Sequence, residues 1–380
     1  MREKYSATGF DYKMLNEPRP GMDVYAVRAF FSDQDSVERL KEDHPDEVVG
    51  VYADPAISPF PAYCGCKAIG TSRDVARLLG LSRLHKQNIT GRGVRIAIVD
   101  SGVSKSIPVS GGWIPPGIKY EPGTANPDHG TMCAFDARIS APDADILDYA
   151  LLRTKEKTLA GFLSDALAAF SDLTDLIQKK PGPLVVSNSW GLPDRRSDEP
   201  IGSPGNYSAN LDHPFNQAVA TLVGAGADVL FAAGNCGENC PSSVCGTSDI
   251  GPGKSIHGAN SHPDVISVAA VTIRDNRLGY SSQGPGGLNK PKPDIAAYSH
   301  FEGSKVFPTK EGGDNGTSAA CPVAAGVIAI LRQKLSTRKI DPAAMKGVIQ
   351  RTARDVNGGG WDTDLGYGIV DAGAAWDYLK

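Results

Sequence analysis

From about residue 92 onward, short apolar runs alternate with stretches in which apolar residues recur at helical spacing. The run VRIAIVD (94–100) is rich in β-branched residues and ends in an acid. ADILDYALL (144–152), LVVSNSW (184–190), DVLFAAG (228–234) and VISVAAV (265–271) repeat its character. Between them, Leu159, Phe162, Leu163, Leu167 and Phe170 mark one face of a helix over 159–180, and FNQAVATLVGAG (215–226) predicts another. Strands that are apolar throughout are covered on both faces. With helices between them they predict an α/β fold, a mostly parallel sheet with helices on both sides. Reactive groups in such sheets gather at the carboxyl ends of the strands.

The first sixty residues follow a different pattern. VYAVRAFFS (24–32), DQDSVERLKED (33–43) and EVVGVYADPAI (47–57) predict strand, helix and strand, a small α+β unit. The proline-rich SPFPAYCGC (58–66) reads as an extended linker. The domain boundary therefore falls near 58–68, with residues 1–63 as the smaller unit and 64–380 as the main domain.

Charge and composition narrow the classes of function. Lys and Arg number 39 against 43 Asp and Glu, a net −4 that argues against nucleic acid or an anionic membrane as the main partner. The longest apolar run, VAAGVIAIL (323–331), is well short of the roughly 20 residues of a spanning helix. The opening MREKYSATGFDYKML lacks the apolar centre of a signal peptide. With no such signal, most of the seven cysteines are expected to be reduced and the protein cytoplasmic.

Candidate chemistry sits where the pattern places strand ends. Asp100 closes the first strand in VDSG, His129 opens a short helix in DHGTMCA, and Asn235 follows a strand in FAAGN. Ser318 starts a helix in GGDNGTSAACPVAAG (312–326), where Pro322 is expected in the first turn or so. Taken singly, each has a plainer reading: a turn or cap for Asp100 and Asn235, a structural histidine, an N-cap serine. Together they supply an acyl-transfer set. That set needs a nucleophile, a base, an acid that fixes the base's tautomer, and a donor for the developing oxyanion. A nucleotide-binding α/β protein is the rival, but SGVSKSIP after the first strand is no G-x-G-x-x-G turn, and GDNGTSAA has no Walker lysine.

At these residues the chain resembles the subtilisin-like serine proteases, or subtilases. IAIVDSGV is similar to their aspartate motif, HGTMCA to the histidine motif, NGTSAACPVAAG to the serine motif and AAGN to the oxyanion segment. SNSWG (187–191), SSQG (281–284), KPDIAA (292–297) and GYGIVDA (366–372) extend the likeness, which runs from about residue 70 to the end. The resemblance implies Ser318 as nucleophile, His129 as general base and acid, Asp100 as orienting carboxylate, and the Asn235 amide with the Ser318 N–H as oxyanion hole. It implies a substrate cleft lined by Ser189, Trp190, Gly191, Ala232, Ala233 and Gly234, and a peptide or protein substrate. Residues 1–63 then correspond to a propeptide whose YADPAISPFPAY threads the cleft, with the bond after Tyr63 as a self-cleavage point. The alternative is a catalytically silent peptide-binding module of the same fold.

The chain also departs from the family. Met132, Cys133, Ala134 and Phe135 replace the usual continuation of the histidine helix, Val323 follows the serine-helix proline, and AAYS (296–299) stands where an Ala-Pro-Gly turn is usual. These changes bear on specificity and rim shape. HGTMCAFDARISAPDAD (129–145) leaves no room for the family's usual calcium loop, so calcium is not a firm cofactor. Asp143, Asp145 and Asp148 are expected as solvated carboxylates, with chelation as the lesser option. Cys236, Cys240 and Cys245 are expected as free thiols on a rim loop. A disulfide, or a metal joined by Cys64 or Cys66 and by His257 or His262, remains open. Cys321 is expected in the core of the serine helix.

Overall fold

The computed structural model describes residues 12–14, 26–31, 34–62, 65–153, 159–337 and 339–380. The smaller unit holds β1 (Tyr12–Met14), β2 (Val27–Ala29), α1 (Gln34–Asp43) and β3 (Ala56–Ile57). Two short helices follow, α2 (Ser72–Leu78) and α3 (Leu81–Lys86). Then come β4 (Arg95–Val99), β5 (Gly112–Trp113), α4 (His129–Ser140), β6 (Asp145–Tyr149), β7 (Gly161–Phe162) and α5 (Leu163–Lys179). The order continues with β8 (Leu184–Asn188), α6 (Pro214–Gly224), β9 (Ala227–Ala232), β10 (Ile266–Val271) and β11 (Ile295–Tyr298). Three helices close the chain: α7 (Gly316–Arg332), α8 (Pro342–Thr352) and α9 (Ala372–Tyr378).

Seven strands form one sheet in the order β11-β10-β9-β8-β4-β6-β5, and each neighbouring pair is parallel. The period of two in β4 divides its side chains between two cores. Ile96 and Ile98 join α4 and α7 on one face, while Ala97 and Val99 join α5 and α6 on the other. Burial on both faces is why these strands read as unbroken apolar runs. All of α7 is buried, and its last residue, Arg332, forms a two-pronged pair with Asp228 of β9 at 2.5 and 2.6 Å.

Pro322 lies inside α7, seventh from its start rather than in the first turn. A proline there has no N–H for the carbonyl four residues back, that of Ser318. The Ser189 hydroxyl at 3.1 Å and the Cys133 thiol at 3.5 Å donate to that carbonyl instead. The helix tolerates the proline because neighbouring side chains satisfy the orphaned acceptor.

In the smaller unit β1 and β2 pair antiparallel, and α1 occupies the predicted helix. The strand expected over 47–57 is limited to Ala56–Ile57. Its partner is β7 of the main domain, with Ala56 opposite Phe162 and Ile57 opposite Gly161. Earlier in that stretch Val48 turns back to the His44 carbonyl and Val49 is 77% exposed, so the alternating apolar residues find no ladder to join. The same pairing trims the helix expected from 159. Gly161 and Phe162 are spent on the strand, and α5 begins at Leu163.

Asp54 caps α5 from outside. Its carboxylate accepts from the Ser164 N–H at 2.8 Å and the Ser164 hydroxyl at 2.6 Å, where Phe162 at the N-cap offers no acceptor. Arg28 pairs with Asp54 at 2.8 Å and with buried Asp165 at 3.0 Å, its guanidinium 4.8 Å from the centre of the Phe162 ring. The N-terminal unit is thereby fastened beside the cleft.

Candidate active site

Asp100 follows the last residue of β4, at the carboxyl edge of the sheet, and is 1% exposed. One carboxylate oxygen accepts from the Ser101 N–H at 2.7 Å and faces His129 Nδ1 at 2.8 Å. The other accepts from the Cys133 thiol at 3.7 Å. His129 is the first residue of α4, where Asp128 caps the helix by accepting its N–H at 2.8 Å. Burial pulls the His129 pKa down, but the charge and hydrogen bond of Asp100, with Asp128 behind them, outweigh it and leave it above the usual 6.5.

Ser318 is the third residue of α7, in the turn whose N–H groups have no acceptor within the helix. Asn235 lies just beyond β9, and its side-chain oxygen accepts from the backbone N–H and the hydroxyl of Thr317, both at 2.9 Å. That clamp fixes which way the amide points: its nitrogen faces the cleft. Gly316 makes the turn possible, with φ +76° and a position where a Cβ would stand 2.8 Å from that nitrogen. His129 and Ser318 both line one cavity of about 330 Å³, with Met132, Leu159 and Phe307 on its walls.

Another wall is the chain's own segment 58–62. Ser58 exchanges two backbone hydrogen bonds with Gly191, at 3.2 and 3.1 Å. Two residues on, the carbonyl of Phe60 accepts from the Asn235 amide at 2.7 Å. A Cβ on Gly191 would lie 3.1 Å from the Phe60 ring, so this position can accept an aromatic neighbour because it is glycine. Tyr63, the expected cleavage point, lies outside the described residues, as does Cys64.

The other residues expected in the cleft hold it up from below. Trp190 is fully buried, packed edge-on to Phe231 with ring centres 5.2 Å apart. The carbonyls of Trp190 and Ala232 are joined by the Asn260 amide, at 2.8 and 2.9 Å. Ala233 donates to Val268, and Gly234 donates to the Thr317 hydroxyl at 3.1 Å. Sequence reasoning missed Thr317, Cys133 as a neighbour of the acid, and Phe60. The signal for Thr317 was a second hydroxyl directly before the nucleophile; for Phe60 it was an aromatic residue held between two prolines.

Cys236 and Cys245 form a disulfide with an S–S distance of 1.99 Å, and Cys240 is disulfide-bonded as well. This overturns the expectation of free thiols on that loop. Such bonds persist in oxidising compartments, which removes the reduced-cysteine ground for a cytoplasmic location. Among the described residues no helix is long and apolar enough to cross a membrane. Cys321 is buried in α7 as expected.

Among the described residues the cysteines, histidines and acids weighed for a metal are not brought together. His257 and His262 are pushed down to about 4, chiefly by burial. Among the described residues the one group of His, Cys, Asp or Glu close enough to hold an ion is Asp100, His129 and Cys133. The three acids considered for a cation diverge. Asp143 accepts from Thr90, Asp145 from Ser110, and Asp148 from Tyr120 and the N–H groups of Val103 and Gly123. Asp148 is buried rather than solvated.

A family model described as the subtilase family matches residues 91–368. Human membrane-bound transcription factor site-1 protease is 27% identical over 336 residues, covering 81% of this chain and 27% of its own length. M-protease of Shouchella clausii is 27% identical over 347 residues, covering 87% of this chain and 77% of its own. The chain spans about a quarter of the length of the first curated relatives it matches. Among solved structures, fervidolysin from Fervidobacterium pennivorans, a keratinolytic enzyme related to subtilisin, aligns with a TM-score of 0.55 at 22% identity, over 80% of this chain and 45% of its own. A lanthipeptide protease aligns with a TM-score of 0.56 at 20% identity, over 81% and 94%. These structural likenesses fix the fold as subtilisin-like.

Proposed function

The chain belongs to the subtilase family of serine proteases, and from that premise we propose that it hydrolyses peptide bonds in peptide or protein substrates through an acyl-enzyme on Ser318. The Ser318 hydroxyl attacks the substrate carbonyl carbon as His129 Nε2 takes its proton, while Asp100 holds Nδ1–H and steadies the imidazolium. Asn235 and the Ser318 N–H receive the oxyanion. Collapse expels the amine, which carries off the proton from His129, and water repeats the sequence on the ester. One observation carries this reading. A backbone carbonyl already rests on the Asn235 amide at 2.7 Å, beside the cavity that His129 and Ser318 line.

That carbonyl belongs to Phe60, so residues 1–63 are proposed as the cleft's resident partner, in the manner of a propeptide. Self-processing after Tyr63 would require the segment to advance by three residues, from 60 to 63, to bring that bond onto Asn235. The test is intact mass after incubation with a fluorophosphonate. A single adduct mapped to Ser318 and lost in His129→Ala is expected. No adduct on the full chain, nor after the N-terminal unit has been clipped, would favour a silent peptide-binding module.

A further inference from the structure

We propose that Phe60–Pro61 is held as the reacting bond of a bound substrate, and that Pro61 is what keeps it uncut. The inference rests on the serine-protease reading above. Ser58 pairs through both its N–H and its carbonyl with Gly191, and Phe60 offers its carbonyl to Asn235. An extended peptide added to an edge turns the backbone N–H and C=O of alternate residues toward that edge, so those of Ser58 and Phe60 point to it and those of Pro59 point away. A proline at the away-facing position sacrifices no ladder hydrogen bond. Pro59 and Pro61 also narrow the backbone choices of Ser58 and Phe60 to extended ones, so little conformational freedom is lost on seating the segment.

The prolines on the two sides of Phe60 act differently. Attack by Ser318 would form the Oγ–C bond and send the hydroxyl proton to His129. Collapse must then break the C–N bond while His129 returns that proton to the nitrogen of Pro61. This nitrogen is tertiary, and its ring Cδ stands where an ordinary residue has its N–H. Presenting a lone pair to His129 requires the ring to swing as the nitrogen becomes pyramidal. Without timely protonation, re-expulsion of Ser318 is the easier exit. The segment therefore behaves as a built-in inhibitor that is displaced, not cut, at this bond. β3–β7 pairing and the Asp54 cap keep it at high local concentration.

The full-length wild type, Pro61→Ala and Pro61→Ala/Ser318→Ala are compared by intact mass over time, with fluorophosphonate labelling and a melting curve on each. Pro61 is exposed, so the substitution removes little packing; Pro61→Ser is prepared alongside as a second variant. The wild type is expected to stay whole at this bond. The Pro61→Ala chain is expected to separate between residues 60 and 61 at least about 100-fold faster, the scale of lost or restored proton transfer. Its rate should not depend on protein concentration, and the double variant should stay whole. Folded Pro61 variants that remain whole while Ser318 takes the label would overturn the inference, as would a wild type that cuts itself there. Variants that neither cut nor label, even after the N-terminal unit has been clipped, would bring down the serine-protease reading and this inference with it.

Discussion

His129 is where burial and charge compete most directly. Buried alone, its imidazole would resist a proton; Asp100 at 2.8 Å and nearby Asp128 reverse that and lift its pKa above 6.5. A general base must be neutral, so hydrolysis should fall on the acid side as pH drops through this raised value. Asp100→Asn removes the attraction and leaves burial in command. The acid limb of kcat/KM should then move below that of the wild type, with a loss in turnover of about 10⁴-fold from misorientation of the ring. A pH–rate profile of both proteins, measured once the cleft is free, decides it; an unmoved limb would mean Asp100 does not set the charge state of His129. Cys133 adds a weak donor to the same carboxylate, a contact that a sequence reading limited to the rim could not supply.

Between α4 and the loop that leads into α7 lies a buried pair of acids. Neither Asp136 oxygen has a donor within reach, whereas Asp314 accepts from the Ser304 N–H and hydroxyl, each at 2.5 Å. Burial first, and then the charge of Asp314, drive the Asp136 pKa well above 3.8, so Asp136 holds the proton that Asp314 accepts. Below the unfolded value of 3.8 the group is protonated in both states. As pH rises above it, the unfolded chain gains by ionising and the native state does not, so stability falls until the native pKa is reached. Each pH unit over which the native state keeps that proton costs about 1.4 kcal/mol. Asp136→Asn should flatten this slope and raise Tm near neutral pH by about 2 °C or more. Melting curves of the two proteins from pH 4 to 8 test it; parallel slopes would mean Asp136 is ionised in the native state. The strands and helices of the main domain were legible because burial on both faces writes continuous apolar runs, as in β4 and β9. The place of Pro322 was not, because its acceptability depends on Ser189 and Cys133 reaching the Ser318 carbonyl from other elements. Over 47–57 the pattern promised a full strand, and the length actually formed was set by the two residues of β7 available to pair with it.

At the scale of the whole molecule, the order of Asp100, His129, Asn235 and Ser318 along the chain made the site readable, since each sits beyond a strand or at a helix start. The occupant of the cleft was readable only as a segment. Its register depends on Gly191 meeting Ser58 and Asn235 meeting Phe60, contacts that cross more than a hundred residues and leave no local periodicity. Further contacts outside the cleft anchor the same segment. Asp54 caps α5 and pairs with Arg28, while Arg28 also grips Asp165, so the N-terminal unit and the segment leading to the cleft share one anchor on α5. Loss of one such cap costs about 1 kcal/mol, roughly a fivefold change in a local equilibrium. Asp54→Ala should therefore raise the fraction of chains with an open cleft about fivefold. The rate of fluorophosphonate labelling at Ser318 should rise by the same factor, while the catalytic groups stay untouched. Labelling at the wild-type rate in Asp54→Ala would place the latch elsewhere, in the backbone pairing of Ala56 and Ile57 with Phe162 and Gly161.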